Sequence, residues 1–129
     1  MALPINRSKI KILIIDDEPL NILALSAVLK SRGYTAVSAS NAEEGLTFLR
    51  KDRDIGLVLM DMMMPDLDGY EATARIKKDD FIRDVPVIAV TAQAMSHDRE
   101  KCLAAGANDY IAKPIDIDKL TAIIQKHLS

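Results

Sequence analysis

Asp61 closes the apolar run Leu57-Val58-Leu59-Met60, and Asp16, Asp17 and Glu18 follow a second such run, Ile12 to Ile15. A carboxylate at the end of a buried segment is costly unless something pairs with it. Farther along, Thr91 ends "VPVIAVT" and Lys113 ends "DYIAK". A carboxylate can act as a nucleophile and form an aspartyl-phosphate. The transferred group then needs positive charge and hydrogen-bond donors around its oxygens, which Lys113 and Thr91 can supply. Carboxylates about 5 Å apart repel by roughly 3 kcal/mol per pair at an effective dielectric near 20, so a counter-ion is required. Oxygen ligands with room for retained water suit Mg²⁺, whereas zinc would call for His or Cys nearby. These residues predict Asp61 as a phosphoryl acceptor, with one divalent ion between Asp17 and Asp61, provided that the fold gathers them.

The elements that would gather them alternate along the whole chain. "KILIID" reads as a buried strand, followed by a helix whose apolar face is predicted from Leu20, Leu23, Ala24, Ala27 and Val28 and whose stop is Gly33. "TAVSA" is a second strand, and Asn41 with Glu44 opens a second helix at capping-box spacing. "IGLVLMD" is a third strand, and Asp68 with Glu71 starts a helix reaching about Lys78. "VPVIAVTA" makes the fourth strand, with Pro86 near its start; Ser96 caps a helix that stops at Gly106. "DYIAK" is the fifth strand, and Asp116 caps a last helix buried through Leu120, Ile123, Ile124 and Leu128. Strands alternating with helices imply an α/β flavodoxin-like (βα)5 three-layer sandwich with a parallel sheet in the order 2-1-3-4-5. In such sheets the ligand crevice lies at the carboxyl ends of the strands, where every residue named above falls.

Each residue also has a plainer reading. Asp17 or Glu18 can cap the first helix, with Pro19 in its first turn. Asp61 is poorly placed to cap the third, because Met62 to Pro65 intervene. Asp66 and Asp68 read as loop and cap. The methionines at 60, 62, 63 and 64 read as packing in and beside the sheet. His97 and His127 read as solvated, Cys102 as a helix packing residue, and "KKDDFIRD" as an exposed helix end and loop.

Composition narrows the class. The 129 residues suit one domain, and nearly half are apolar, enough for a filled core. A net charge of −2 with scattered Lys and Arg disfavours a nucleic-acid surface. One cysteine excludes an internal disulfide. No stretch is a membrane span or a signal-peptide core, so a cytoplasmic domain over 10–129 with an extension over 1–9 is expected.

"ILIIDDEPLN", "LVLMDMMMPDLDGYE", "VPVIAVTA" and "GANDYIAKPI" together resemble the receiver domain of two-component response regulators, from about Lys11 to Leu128. The resemblance implies that Asp61 takes a phosphoryl group from a histidine kinase or a histidine phosphotransfer protein. It implies Mg²⁺ on Asp17, Asp61 and the Met63 carbonyl, with Asp16 acting partly through water. Thr91 and Lys113 would hold the phosphoryl oxygens, and Lys113–Pro114 would be cis. Thr91 and Tyr110 would form a switch that remodels the face of helix 4, strand 5 and helix 5 for a downstream protein target, in a monomer or a phosphorylation-dependent dimer. Met63 and Gln93 sit where the family varies and where phosphoryl lifetime is set.

Three rivals have discriminating features. A haloacid dehalogenase-like phosphatase would carry a second acid two residues after the nucleophile, where this chain has Met63. A flavin-binding protein would need a Ser/Thr/Gly-rich loop where this chain has "DDEP". A degenerate receiver serving only as a docking module would have lost the acceptor or the acidic pair, and both are present.

Overall fold

The computed structural model of the chain describes residues 10–64, 68–92 and 96–128. Five strands, β1 (Lys11–Ile15), β2 (Thr35–Ala39), β3 (Ile55–Asp61), β4 (Val87–Thr91) and β5 (Asp109–Ala112), alternate with five helices. These are α1 (Pro19–Ser31), α2 (Ala42–Lys51), α3 (Gly69–Lys78), α4 (Ser96–Ala104) and α5 (Ile117–Leu128). Every strand pair is parallel, in the order β2-β1-β3-β4-β5. This is the predicted topology. The expected extension, Asp66, Gln93 and the side chains of Ser96 and His97 lie outside the described residues.

Strand alternation divides the apolar residues between two cores. Leu13, Ile15, Val58, Met60, Val87 and Ala89 face α2, α3 and α4, joined there by Leu49, Ala72, Ile76 and Cys102. Ile12, Ile14, Leu57, Leu59, Ile88 and Val90 face the other way, against Leu25, Leu29, Leu120 and Ile124 of α1 and α5. Strands buried on both faces need unbroken apolar runs, which is why β1 and β3 read so clearly in sequence. Where such a run ends at the sheet edge, a polar side chain becomes affordable, and Asp16, Asp61 and Thr91 occupy those positions.

Caps set the helix starts. Asn41 and Asp68 accept the amide protons of Glu44 and Glu71, and Asp116 accepts from Asp118 and Lys119. Gly33 and Gly106 have φ of +88° and +108°, which favours glycine at these chain reversals.

Three expectations are corrected. In α1 the predicted face is the wrong one: Leu20, Leu23, Ala24 and Ala27 are exposed and Val28 half-buried, while Leu25 and Leu29 are buried. The helix is apolar nearly all round, so two stripes satisfy the same period and contact with the sheet selects between them. His127 is not solvated: its Nε2 lies 3.1 Å from Asp109 Oδ2 and its side chain is mostly covered. "KKDDFIRD" is not wholly exposed either. Ile82 is buried, and the Lys77 ammonium donates to the carbonyls of Arg83 and Val85. Burial holds the Lys77 pKa below its ordinary value, against the pull of Asp84.

Candidate functional site

Asp16 and Asp61 close the two central neighbouring strands and are 2% and 5% exposed, whereas Asp17 points to solvent. One oxygen from each of the three carboxylates lies within 4.8 Å of the other two. Asp16 Oδ1 accepts the Glu18 amide proton at 2.9 Å, and Glu18, the N-cap of α1, makes no side-chain cap bond. The capping reading of Asp17 and Glu18 therefore fails, and Asp17 keeps its oxygens for the cluster. Asp61 Oδ1 accepts the Met63 amide proton at 3.0 Å, a local turn that aims the carboxylate without capping α3.

A cation faces this cluster. Lys113 Nζ stands 3.8 Å from Asp61 Oδ1. Its position is set by its own amide, which donates to the Thr91 carbonyl at 2.8 Å, and the Lys113–Pro114 peptide is cis. Thr91 is buried at the end of β4, whose Val90 pairs in register with Asp61. Tyr110, on β5, pairs with Ala89 and is half-buried. Among the methionines, Met60, Met62 and Met64 are buried, but Met63 is 67% exposed at the rim.

Burial, above all, raises the Asp61 carboxyl above its ordinary pKa, and Asp16 and Asp17 push the same way. The Met63 amide and the Lys113 ammonium oppose them. One ammonium against three carboxylates leaves uncompensated negative charge in a partly buried place. A hard divalent cation fits that donor set: all-oxygen, three carboxylates close together, with Asp17 open to water. Among the described residues, no histidine or cysteine belongs to the cluster.

Two features were not read from sequence. Gly69 begins α3 so close to β3 that a Cβ there would lie 2.5 Å from the Asp61 carbonyl oxygen. The "DG" pair after a strand-end acid is the signal that points to such a close approach. The second is a groove of about 380 Å³ between α1 and α5, lined by Asp16, Asn21, Leu25, Lys113 and Leu120 among others. Asn21, Ala24, Leu25 and Val28 form its α1 wall, and the period of α1 hid it.

Residues 12–125 match the family model described as the response regulator receiver domain. The chain is 36% identical over 117 residues to the polar-differentiation response regulator DivK of Brucella anthropi, covering 91% of this chain and 94% of that protein. It is 35% identical to the protein PilH of Pseudomonas aeruginosa, over 92% of this chain and 98% of that one. Among solved structures, the receiver domain of a sensor histidine kinase of Pseudomonas aeruginosa superposes with a TM-score of 0.85 at 38% identity. That match covers 94% of this chain and 98% of the other, which carries a magnesium ion coordinated in its active-site cleft.

Proposed function

Because this chain belongs to the response regulator receiver domain family, a signalling module of two-component systems and no classical enzyme, we propose that Asp61 is its phosphoryl acceptor. The observation that carries this reading is the approach of the Asp16, Asp17 and Asp61 oxygens to within 4.8 Å with Lys113 3.8 Å from Asp61. Asp17, Asp61 and the Met63 carbonyl would hold Mg²⁺, with Asp16 acting partly through water. Bound there, the ion offsets the charge of the carboxylates and of the incoming phosphoryl oxygens.

An ionised Asp61 oxygen forms the new P–O bond while the P–N bond of a phosphohistidine donor breaks. The bonding pair stays on the imidazole nitrogen, which takes up a proton. Lys113 and Thr91 donate to the equatorial oxygens, where charge gathers in a loose transition state. The event is a single turnover, ended by water. Thr91 and Tyr110 pass the change to the α4–β5–α5 face, where a downstream protein binds. The family's donors and the absence of a long apolar helix among the described residues suit a cytoplasmic setting.

The direct test is intact mass after incubation with Mg²⁺ and acetyl phosphate. The wild type gains one phosphoryl group, about 80 Da, and both Asp61→Asn and a chelator abolish the gain. Labelling of the Asn variant to the same extent would move the acceptor elsewhere.

The same site supports two narrower expectations. Leu20 and Leu23, 77% and 67% exposed, stand on α1, the helix that forms one wall of the groove reaching Asp16 and Lys113. A helical phosphodonor that sets its histidine over Asp61 would bury them. Leu20→Asp with Leu23→Asp should slow transfer from the phosphorylated donor by about a hundredfold or more, from ~1.5–3 kcal/mol for each of the two leucines buried. Labelling by acetyl phosphate should be unchanged; a parallel loss there would mean a damaged site, not a lost docking face. Met63, exposed at the rim, has no group with which to orient an attacking water. Met63→Asn should speed loss of the 80 Da label by about tenfold, since water positioning limits such hydrolysis; an unaltered half-life would remove Met63 from the control of lifetime.

A further inference from the structure

We infer that α4 is a lever held between two tyrosines by opposed cation–π contacts, Lys101 on Tyr70 and Arg99 on Tyr110, which together regulate the switch proposed for Asp61. The regulatory half of this inference rests on the acceptor reading above; the lever does not.

The helix is weakly held by its apolar contacts. Of its side chains at 99–104 only Cys102 is buried, and its main packing is against β5. What grips its flanks is aromatic. The Lys101 ammonium lies 4.3 Å from the centre of the Tyr70 ring, and the Arg99 guanidinium 5.7 Å from that of Tyr110. Both separations fall inside the ~6 Å within which a cation is drawn to a ring face. Residues two apart on a helix point to opposite flanks. A shift of α4 toward α3 therefore shortens the first contact and stretches the second, and a shift toward β5 does the reverse.

Each ring is tied to a different part of the site. Tyr70 follows Gly69, whose backbone is seated against the Asp61 carbonyl oxygen and whose amide donates to the Met62 carbonyl. Tyr110 lies on the strand that delivers Lys113. A rearrangement at Asp61 thus reaches α4 by two routes, through the start of α3 and through β5. Two attachments that cannot both tighten make α4 a two-position element, and an effector must act on such an element to shift a population.

The chain contains three tyrosines, which makes the test compact. With 3-fluorotyrosine in place of tyrosine, fluorine NMR reports Tyr70 and Tyr110, and Tyr34, buried in the opposite core, serves as the internal reference. Lys101→Met should move the Tyr110 resonance as well as that of Tyr70, and Arg99→Met should move Tyr70 as well as Tyr110, with Tyr34 unmoved. Tyr70→Leu should add nothing to Lys101→Met at Tyr110. Beryllofluoride titrations with Mg²⁺ should then give affinity changes of opposite sign for the two variants, about two- to fivefold each, the factor one exposed cation–π contact carries. Responses confined to the neighbouring ring, or affinity changes of equal sign, overturn the inference. The cross-response in both variants, together with a wild type that does not bind beryllofluoride, overturns the acceptor assignment and leaves the lever standing.

Discussion

Lys113→Met is expected to slow phosphoryl uptake from acetyl phosphate by about a hundredfold to a thousandfold, the usual cost of removing one preorganised donor from a charge-developing transition state. The ammonium is 3.8 Å from Asp61 Oδ1, close enough to reach an oxygen of a group attached there. Its backbone is fixed by the bond to Thr91, so the side chain is aimed before any donor arrives. Methionine keeps the aliphatic length and removes only the charge. Two losses follow: the transferring oxygens lose a cation, and Asp61 loses the one ammonium that opposes its raised pKa. Lys113→Arg should recover only part of the rate, because a planar guanidinium does not place a point charge at the same spot. Rates of label gain by intact mass decide it. A Met variant within threefold of the wild type would show that Lys113 acts on the resting carboxylate alone.

The legibility of this chain in its sequence follows from where burial is complete. β1 and β3 are covered on both faces, so their composition admits almost only apolar residues, and the acid that ends each stands out. Asn41, Asp68 and Asp116 announce helix starts because orphan amides need acceptors. From these the topology and the meeting of Asp16, Asp61, Thr91 and Lys113 at one edge were readable. What was hidden depends on contacts between elements distant in sequence. Leu20 and Leu25 are equally apolar; only the sheet decides which is covered. His127 reads as a surface histidine until β5 brings Asp109 to 3.1 Å. Tyr70 and Lys101 are thirty-one positions apart and share no motif. Local pattern reports what a residue costs to bury, and the partner that offsets the cost comes from the tertiary fold.

That distinction yields a stability prediction of definite sign. In the absence of divalent cations at pH 7, Asp61→Asn should be more stable than the wild type by on the order of 1 to 3 kcal/mol. Two neighbouring carboxylates within 4.8 Å each cost Asp61 roughly 3 kcal/mol at an effective dielectric of 20, reduced for the exposed Asp17, and Lys113 returns about 4. Burial adds to the cost, which is why the carboxyl is raised above its ordinary value. With its pKa higher in the folded protein than in the unfolded chain, Asp61 binds more protons when folded. Its contribution is fully present below the unfolded value of about 3.9 and is lost as pH rises through the folded value. The melting-temperature advantage of the Asn variant should therefore shrink as the pH is lowered from 7 toward 4. Mg²⁺ should reverse the order at pH 7: at a hundred times its dissociation constant it adds about 2.7 kcal/mol to the wild type and much less to a site missing one ligand. Thermal melts of both proteins across pH, with Mg²⁺ and with chelator, supply all four comparisons. An Asn variant that melts below the wild type in chelator would mean that Lys113 and the Met63 amide more than offset burial and like charge, and that the acidic cluster needs no cation to stand.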